Sequence, residues 1–387
     1  MIESLTDRQQ AVMEFLAGAQ PAMLDLLQRI VDIDSGSYHK AGVDAVVAEL
    51  RGWLVQHGVS CEVHRNETAG NCLRAAVPGA QAGKPVLLMG HCDTVFPEGT
   101  AAQRPFRIEG DLAYGPGVAD MKAGLVVNSF VLAAFAQAGL RVPLVGLYTA
   151  DEEIASPASR SFIEAHATDA RAVFNGEPGR PSGNVVTGRK GAMFVDCEVT
   201  GIPAHSGGNH HEGASAIEAI CRKVVQLHGL TDYESGTTVN VGLIKGGSSV
   251  NTVAPWASAS IDVRYKTTEA MEAVKAKLAA IMGQVEVPGT CGHITQQRYF
   301  LPFVQSAASN ALFEAYVDSA RAIGFAAGGE YSGGSADSGF TAAAGVPTLC
   351  GTGPVGGKVH TADEWLKVGT MVPRAQAIAL TALRLSR

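Results

Sequence analysis

The chain is short of charge. Asp, Glu, Lys and Arg make up 17% of its 387 residues, against about 25% in ordinary globular proteins. Its basic residues form no cluster longer than three, and 30 of them stand against 37 acidic ones for a net charge of −7. A nucleic-acid partner, which needs a basic patch or stripe, is therefore not expected. Cysteine is sparse and unpatterned: seven residues, an odd number, with no Cys-x-x-Cys pair. The opening Met-Ile-Glu-Ser-Leu-Thr-Asp-Arg lacks the basic-then-apolar pattern of an export signal. Together these features lead us to expect reduced thiols in a cytoplasmic protein. Long apolar runs are rare as well. The uncharged stretch 123–140 has the length of a membrane span, but it contains Asn128, Ser129, Gln137 and many alanines. A buried core helix is expected there, and no membrane partner. In excess is glycine, 45 residues without a period, which excludes collagen-like and linker-like chains.

The length suggests about two or three domains. Helical spacing runs through 7–31, interrupted at Pro21, and again through about 43–57. Strand-like alternation follows at 61–65 and 72–77. Pro85-Val-Leu-Leu-Met-Gly90, the run 142–148 and, more weakly, 172–174 are short and continuously apolar. That pattern belongs to strands covered on both faces, as in a parallel or mixed α/β sheet. Each run ends in polar residues, and ligand sites in such sheets lie at the carboxyl ends of strands. Near residue 194 the style changes to strand, helix (214–227), two strands (238–244, 257–265), helix (268–281), strand. We therefore expect a discontinuous α/β domain of residues 1–193 and 298–387, with an α+β domain of 194–297 inserted into it.

Gly90-His-Cys-Asp-Thr-Val-Phe-Pro97 follows the first apolar run. In an extended chain His91 and Asp93 point to one face and Cys92 to the other. A histidine metal ligand usually gives its second ring proton to a carboxylate. His91 as ligand with Asp93 as orienter fits that need, and Cys92 reads as a small packed residue. Asp120 lies in the glycine-rich segment 113–124 just before a helix, where helix N-cap and metal ligand are both open. Asp151-Glu-Glu153 ends the next strand. Three adjacent acids repel one another unless a cation or proton intervenes, a solvated loop being the alternative. Glu177 ends a further strand, and His360 follows a glycine-rich loop. Two histidines with Asp120, Glu177 and one acid of the cluster make an N/O donor set. Such a set suits borderline divalent metals, zinc first, then manganese or cobalt. Two divalent ions are balanced in charge by Asp120, Glu153, Glu177 and one hydroxide, which leaves Glu152 free as a base.

Taken in order, the segments HCDTV, AYGPGVADMKAG, DEE, NGEP and GPVGGKVHTADEW resemble the motifs of the aminoacylase/carboxypeptidase family of di-zinc metallopeptidases. The resemblance covers nearly the whole chain. Gly188-Arg-Lys-Gly191, Gly201-Ile-Pro-Ala-His-Ser206, Val250-Asn-Thr-Val-Ala-Pro255 and Asp262-Val-Arg264 make it most similar to the glutamate carboxypeptidase (carboxypeptidase G type) branch. The resemblance implies a mixed-sheet α/β zinc-peptidase catalytic domain with an inserted α+β, ferredoxin-like lid and dimerisation domain, and a homodimer. It implies two zinc ions per subunit, bridged by Asp120, with His91 and Glu177 completing one site and Glu153 and His360 the other. Asp93 orients His91, and Glu152 is the general base for a metal-bridging hydroxide. From the inserted domain His205 approaches the scissile carbonyl oxygen, while Arg264 and Asn251 hold the substrate's free carboxylate. Lys190 and Arg298 are further expected substrate contacts.

The implied reaction hydrolyses an amide and releases a C-terminal amino acid, glutamate first, from a small N-acyl or short peptide substrate. An N-acyl-amino-acid deacylase of the acetylornithine or succinyl-diaminopimelate type shares every metal residue and stays open, as do dipeptidase and tripeptidase activities. A non-catalytic amino-acid-binding relative would have lost the base or a ligand, and all of these are present. A phosphoester hydrolase would need extra basic groups around the metals.

Overall fold

The computed structural model describes residues 5–386; residues 1–4, part of the segment read for an export signal, lie outside the described residues. The chain divides into two compact units. One comprises residues up to 188, 305–332 and 340–387, and the other 189–304 and 333–339.

An eight-stranded mixed sheet organises the first unit. Its spatial order is Ser60–His64, Cys72–Ala76, Leu144–Thr149, Val86–His91, Ala172–Asn175, Thr348–Cys350, Val185–Arg189 and Gly329–Ser332. The four strands from Leu144–Thr149 to Thr348–Cys350 run parallel. Three of them are the continuously apolar runs, because a parallel strand is covered on both faces; Thr348–Cys350, with three residues, is too short to stand out as one. Val86–His91 and Leu144–Thr149 are buried at every position. The register sets His91 beside Thr149, Met89 beside Asn175, and Asn175 beside Cys350. Four strand ends therefore lie side by side, and the segments that follow them carry the candidate ligands.

The uncharged stretch forms the helix Ala123–Gln137, buried throughout residues 123–135. The 20 residues Val118–Gln137, which include it, are by length and composition apolar enough to cross a membrane; here they lie in the core, and two polar side chains of the helix donate to carbonyls. Asn128 Nδ2 donates to the Met89 carbonyl at 3.1 Å, and Ser129 Oγ to the Leu125 carbonyl at 2.8 Å. Gly124 brings the helix against the end of a central strand, since a Cβ there would lie 1.9 Å from the Gly176 carbonyl oxygen. Helices Asp7–Ala17 and Met371–Leu385 pack against it. Pro21 stands in the first turn of helix Gln20–Val31, as the sequence predicts. A small antiparallel sheet of Gly356–Gly357, Trp365–Lys367, Leu112–Tyr114 and Arg107–Glu109 was not expected. Strands of two or three residues leave no periodicity to read.

The second unit has the predicted element order. Its strands are antiparallel in the order Thr238–Gly246, Trp256–Tyr265, Gly191–Thr200, Cys291–Phe300, with helices Ala216–His228 and Thr268–Gly283 between them in sequence. This is the βαββαβ, ferredoxin-like arrangement. Val195, Cys197, Val199, Ala259, Ile261 and Val263 alternate onto the helix-covered core. By the period of two, Phe194, Asp262, Arg264 and Arg298 share the other face. Asp262, Phe194 and Arg298 form one cross-strand row there.

Candidate metal centre

The parallel strands deliver their polar ends to one place. His91 closes Val86–His91 and is fully buried. Its Nε2 lies 3.3 Å from Asp120 Oδ1, 3.7 Å from Glu177 Oε1 and 3.9 Å from Glu152 Oε2. His360 Nε2 lies 3.2 Å from Asp120 Oδ2 and 3.3 Å from Glu153 Oε2. Asp120 thus faces one imidazole with each oxygen. It caps no helix: Ala123–Gln137 starts three residues later without a side-chain cap, and Asp120 sits at φ −111°, ψ 92°. Of the three consecutive acids, Asp151 is structural, its carboxylate accepting from the N–H of Ala158 at 2.7 Å and Ser159 at 3.1 Å. Glu152 and Glu153, on the turn that follows, remain for the centre.

Two observations bear on whether this set fits divalent cations. His91 Nε2 and Glu153 Oε1 are buried without a hydrogen bond, an arrangement that is costly unless another group satisfies them. The separations also suit shared ions. Two ligand atoms at about 2.1 Å from one tetrahedral ion lie about 3.4 Å apart, and the ligand separations above are 3.2–3.7 Å. His91, Asp120 and Glu153 form one candidate group, and His91, Glu152 and Glu177 another. The donor set fits a pair of divalent cations.

Asp93 holds the set together. It is fully buried and accepts Ser37 Oγ–H at 2.6 Å, the Glu152 N–H at 3.0 Å and the Glu153 N–H at 3.1 Å. His91 Nδ1 lies 3.0 Å from the Asp93 backbone carbonyl and 3.3 Å from its carboxylate. Both acceptors keep a proton on Nδ1 and turn Nε2 toward the acids. Sequence reasoning assigned Asp93 the orienting role but missed its grip on the acidic turn. It also missed Glu364, a buried carboxylate that accepts the N–H groups of Gly117 (3.2 Å), Ala119 (2.8 Å) and Asp120 (2.9 Å). Burial pushes the Glu364 carboxyl up to about 7 against the pull of those donors. Nearby, burial draws the Lys122 ammonium down to about 8, and its Nζ donates to the Ile33 carbonyl at 2.8 Å. A lone acid after a loop histidine gives no sequence signal for such a role.

Without cations the imidazoles carry protons. Burial alone would lower the His91 value, but Glu152, Asp120 and Asp93 outweigh it and hold it well above the ordinary one. Hydrogen bonds to Asp120 and Glu153 raise His360 to about 10. Burial acts against Asp120, yet His360 and His91 hold it below the usual carboxylate range. Burial and the Asp120 charge raise Glu153 despite its bond to His360. Cys92 is buried, as expected, with its thiol pushed up by burial.

The other candidates lie on the second unit. His205 is exposed, and its Nδ1 accepts the N–H groups of Gly207 and Gly208, both at 3.1 Å. That fixes the proton on Nε2, which becomes a donor. Asn251 is joined to the same loop, its carbonyl accepting the Ser206 N–H at 3.0 Å and its Oδ1 the Ser249 hydroxyl at 2.9 Å. Arg264 turns its fork onto Asp262, with bonds of 2.8 and 2.7 Å, and reaches Ser335 Oγ at 3.4 Å. Lys190 Nζ donates to the Gly236 carbonyl at 2.7 Å. Burial, then Lys266 and Arg264, pull Lys190 below the ordinary ammonium value. Lys266 is thus a third cation of this cluster, one that no motif in the sequence marks. Arg298 is half-buried opposite Phe194.

Comparison with known proteins agrees with this geometry. The profile of peptidase family M20/M25/M40 matches residues 87–384. The chain belongs to that family. It is 29% identical over 365 residues to carboxypeptidase G2 of Pseudomonas sp. (strain RS-16), covering 92% of this chain and 86% of that protein. It is 31% identical over 264 residues to the acetylornithine deacetylase of Proteus mirabilis, covering 63% and 67%. The fold matches an M20 family metallo-carboxypeptidase from Sulfolobus solfataricus with a TM-score of 0.74 at 19% identity, over 93% of this chain and 98% of that one. As a member of the M20 family, the protein is a metal-dependent hydrolase.

Two outcomes test the centre. Zinc titrated into metal-free protein at neutral pH should release up to about two protons, because a ligating imidazole must be neutral and both are held protonated. Titration calorimetry in buffers of different ionisation enthalpy reads this number, and a value of zero would remove His91 and His360 from the ligand set. Glu364→Gln should weaken zinc binding by about 10–100-fold, the usual cost of losing a ligand-orienting partner, with the fold retained. Competition with a chelator measures it, and unchanged affinity would confine Glu364 to packing.

Proposed function

We propose that the protein cleaves an amide bond and releases a C-terminal amino acid, glutamate in the first place, from small N-acyl or peptidyl substrates. The observation that carries the reading is Glu152. It is a buried carboxylate set beside the donor set, 3.9 Å from His91 Nε2, with its backbone fixed by Asp93. Five ligands, His91, Asp120, Glu153, Glu177 and His360, would hold two cations, zinc before manganese or cobalt. When bound, such ions lower the pKa of a water toward about 7 and polarise the substrate carbonyl. Glu152 takes the proton of the attacking water as its oxygen bonds to the carbonyl carbon. The same proton passes to the amide nitrogen as the carbon–nitrogen bond breaks, the two halves of general acid–base catalysis. His205, with Nε2 as donor, is the candidate to stabilise the oxyanion.

Release of an acidic amino acid is supported by the cluster of Lys190, Arg264 and Lys266, in which Asp262 meets Arg264 and the two lysines remain to face an anion. Asn251 and Arg298 are the remaining candidates for the substrate carboxylate. The extent of similarity to a carboxypeptidase, 92% of this chain, favours this branch over the N-acyl-amino-acid deacylases, whose similarity covers 63%. Residence in the cytoplasm is supported by seven cysteines that are all free.

A homodimer is part of the proposal. The strand Thr238–Gly246 is an edge of its sheet, and Leu243 and Ile244 on it are 62% and 50% exposed. A row of unpaired backbone groups with apolar side chains is what a second copy pairs with.

Zinc-loaded protein should release glutamate from N-acyl and peptidyl substrates faster than aspartate, leucine, arginine or ornithine. Glu152→Ala should keep its zinc and lose about 10²–10⁴ of kcat. Release confined to acetyl or succinyl derivatives of basic amino acids would move the protein to the deacylases, and an active Glu152→Ala would displace Glu152 as the base. Sedimentation should give a dimer that Ile244→Pro converts to monomer; a monomeric wild type would remove the dimer.

A further inference from the structure

The first unit has a groove that takes none of its lining from the metal centre. It encloses about 860 Å³, within the roughly 300–1,000 Å³ of small-molecule sites. One wall is a stripe of the helix Lys40–Gln56, where Lys40, Asp44 and Arg51 recur on one helical face. The other wall is Cys61, Val63 and Arg65, one face of the edge strand Ser60–His64 and the residue after it. Asn66, Glu67 and Asn71, from the loop that follows, complete the lining.

The frame is preformed, and part of its charge cancels internally. Lys40 Nζ lies 2.9 Å from Asp44 Oδ2 and donates to the Ala69 carbonyl at 2.9 Å. Asp44 Oδ1 accepts the Asn71 N–H at 2.7 Å, and Asn71 Oδ1 the Asn66 N–H at 2.9 Å. Gly70 brings the loop against the helix, since a Cβ there would lie 2.3 Å from Val43 Cγ1. Arg51 and Arg65 are left over. Among the described residues neither guanidinium has a hydrogen bond or an ion pair. The Cys61 thiol supplies no anion, because burial pushes it up to about 11 against the pull of Arg51.

Spacing then narrows the ligand. Arg51 acts on Cys61, and four residues of extended chain, roughly 13 Å, separate Cys61 from Arg65. The two cations are therefore rooted toward opposite ends of the groove, with the apolar Val63 between them. That separation suits two acidic groups joined by an aliphatic spacer better than one compact anion. Among the described residues no aromatic ring lines the groove, which leaves a nucleobase nothing to stack on. Glu67, two residues from Arg65 and unpaired, opposes an anion at that end.

We propose that this groove is a binding site for a small dicarboxylate, with Arg51 on one carboxylate, Arg65 on the other and Val63 against the chain between them. A guanidinium fork matches a carboxylate with two parallel hydrogen bonds. The site shares no residue with the amide-hydrolase reading and stands or falls apart from it.

Calorimetry on the zinc-loaded protein at low salt, with octanedioate, octanoate and inorganic phosphate as probes, tests the site. Octanedioate should fill one site with Kd below about 1 mM, at least about tenfold tighter than octanoate, which keeps the spacer and loses one acid. Arg51→Ala and Arg65→Ala, both at exposed positions, should each weaken octanedioate by about tenfold, the order of one charged hydrogen bond. Glu67→Gln should strengthen it by about two- to fivefold by removing a like charge. Arg264→Ala should leave it within about twofold, which separates the groove from the cations of the second unit. Zinc content and circular dichroism check that the variants stay folded. No saturable binding, equal affinity for octanoate, or binding that survives both groove variants would overturn the site. Phosphate bound more tightly than octanedioate at the same two arginines would overturn the dicarboxylate.

Discussion

The carboxylate of Asp93 is the hinge of this structure. A buried carboxylate is costly unless its oxygens are hydrogen-bonded, and here three donors satisfy it: the Ser37 hydroxyl and the backbone N–H groups of Glu152 and Glu153. The same residue faces His91 Nδ1. One side chain therefore fixes an imidazole after one strand and the acidic turn after its parallel neighbour. The register that sets His91 beside Thr149 makes this reach possible. A slip of one residue would turn both sets of side chains to the wrong face.

The centre is an electrostatic problem before it is a catalyst. Asp93, Asp120, Glu152, Glu153 and Glu177 lie among few cations, and like charges at these distances cannot all remain ionised unaided. In the metal-free protein protonated His91 and His360 supply part of the compensation. Divalent cations supply more charge at the same places and need the imidazoles neutral. Protons and metal ions therefore compete for one set of lone pairs. Glu364 belongs to the same arrangement of fixed dipoles, since it gathers three N–H groups around the Asp120 loop and so holds the Asp120 carboxylate between His91 and His360.

Much of this is legible in the sequence, for physical reasons. The parallel strands are continuous apolar runs, and each ends where chemistry begins, so hydrophobic patterning alone puts His91, the acid pair and Glu177 at strand ends. His91 and Asp93, two apart on an extended chain, have to share a face. The βαββαβ order of the second unit follows from a change between helical and alternating periods. What escapes notice acts across long sequence distances. Ser37 meets Asp93, and Glu364 meets residues 117–120, with no local pattern marking either partner. The bidentate pairing of Arg264 with Asp262 sits in plain view as Asp-Val-Arg, yet spacing alone does not say whether a fork turns to a neighbour or to a ligand. The segments around Ser37 and Thr94 are joined through backbone hydrogen bonds, which side-chain patterning does not encode.

The position of the inserted unit in the sequence explains why the ligand motifs cannot by themselves distinguish a carboxypeptidase from a deacylase. More than a hundred residues separate Glu177 from His360, but lengthening a connection adds loop-closure cost only slowly. The returning strand is seated independently of that connection. Thr348–Cys350 pairs in parallel with Ala172–Asn175, Thr352 Oγ1 donates to the Asn175 carbonyl at 2.9 Å, and Gly353 N–H to the Glu177 carbonyl at 3.0 Å. These bonds tie the segment leading to His360 directly to the segment bearing Glu177. The seating of His360 beside Glu177 thus does not run through the second unit. Substrate choice can diverge on the second unit while the five candidate ligands stay where they are, and it is from its side chains that specificity has to be read.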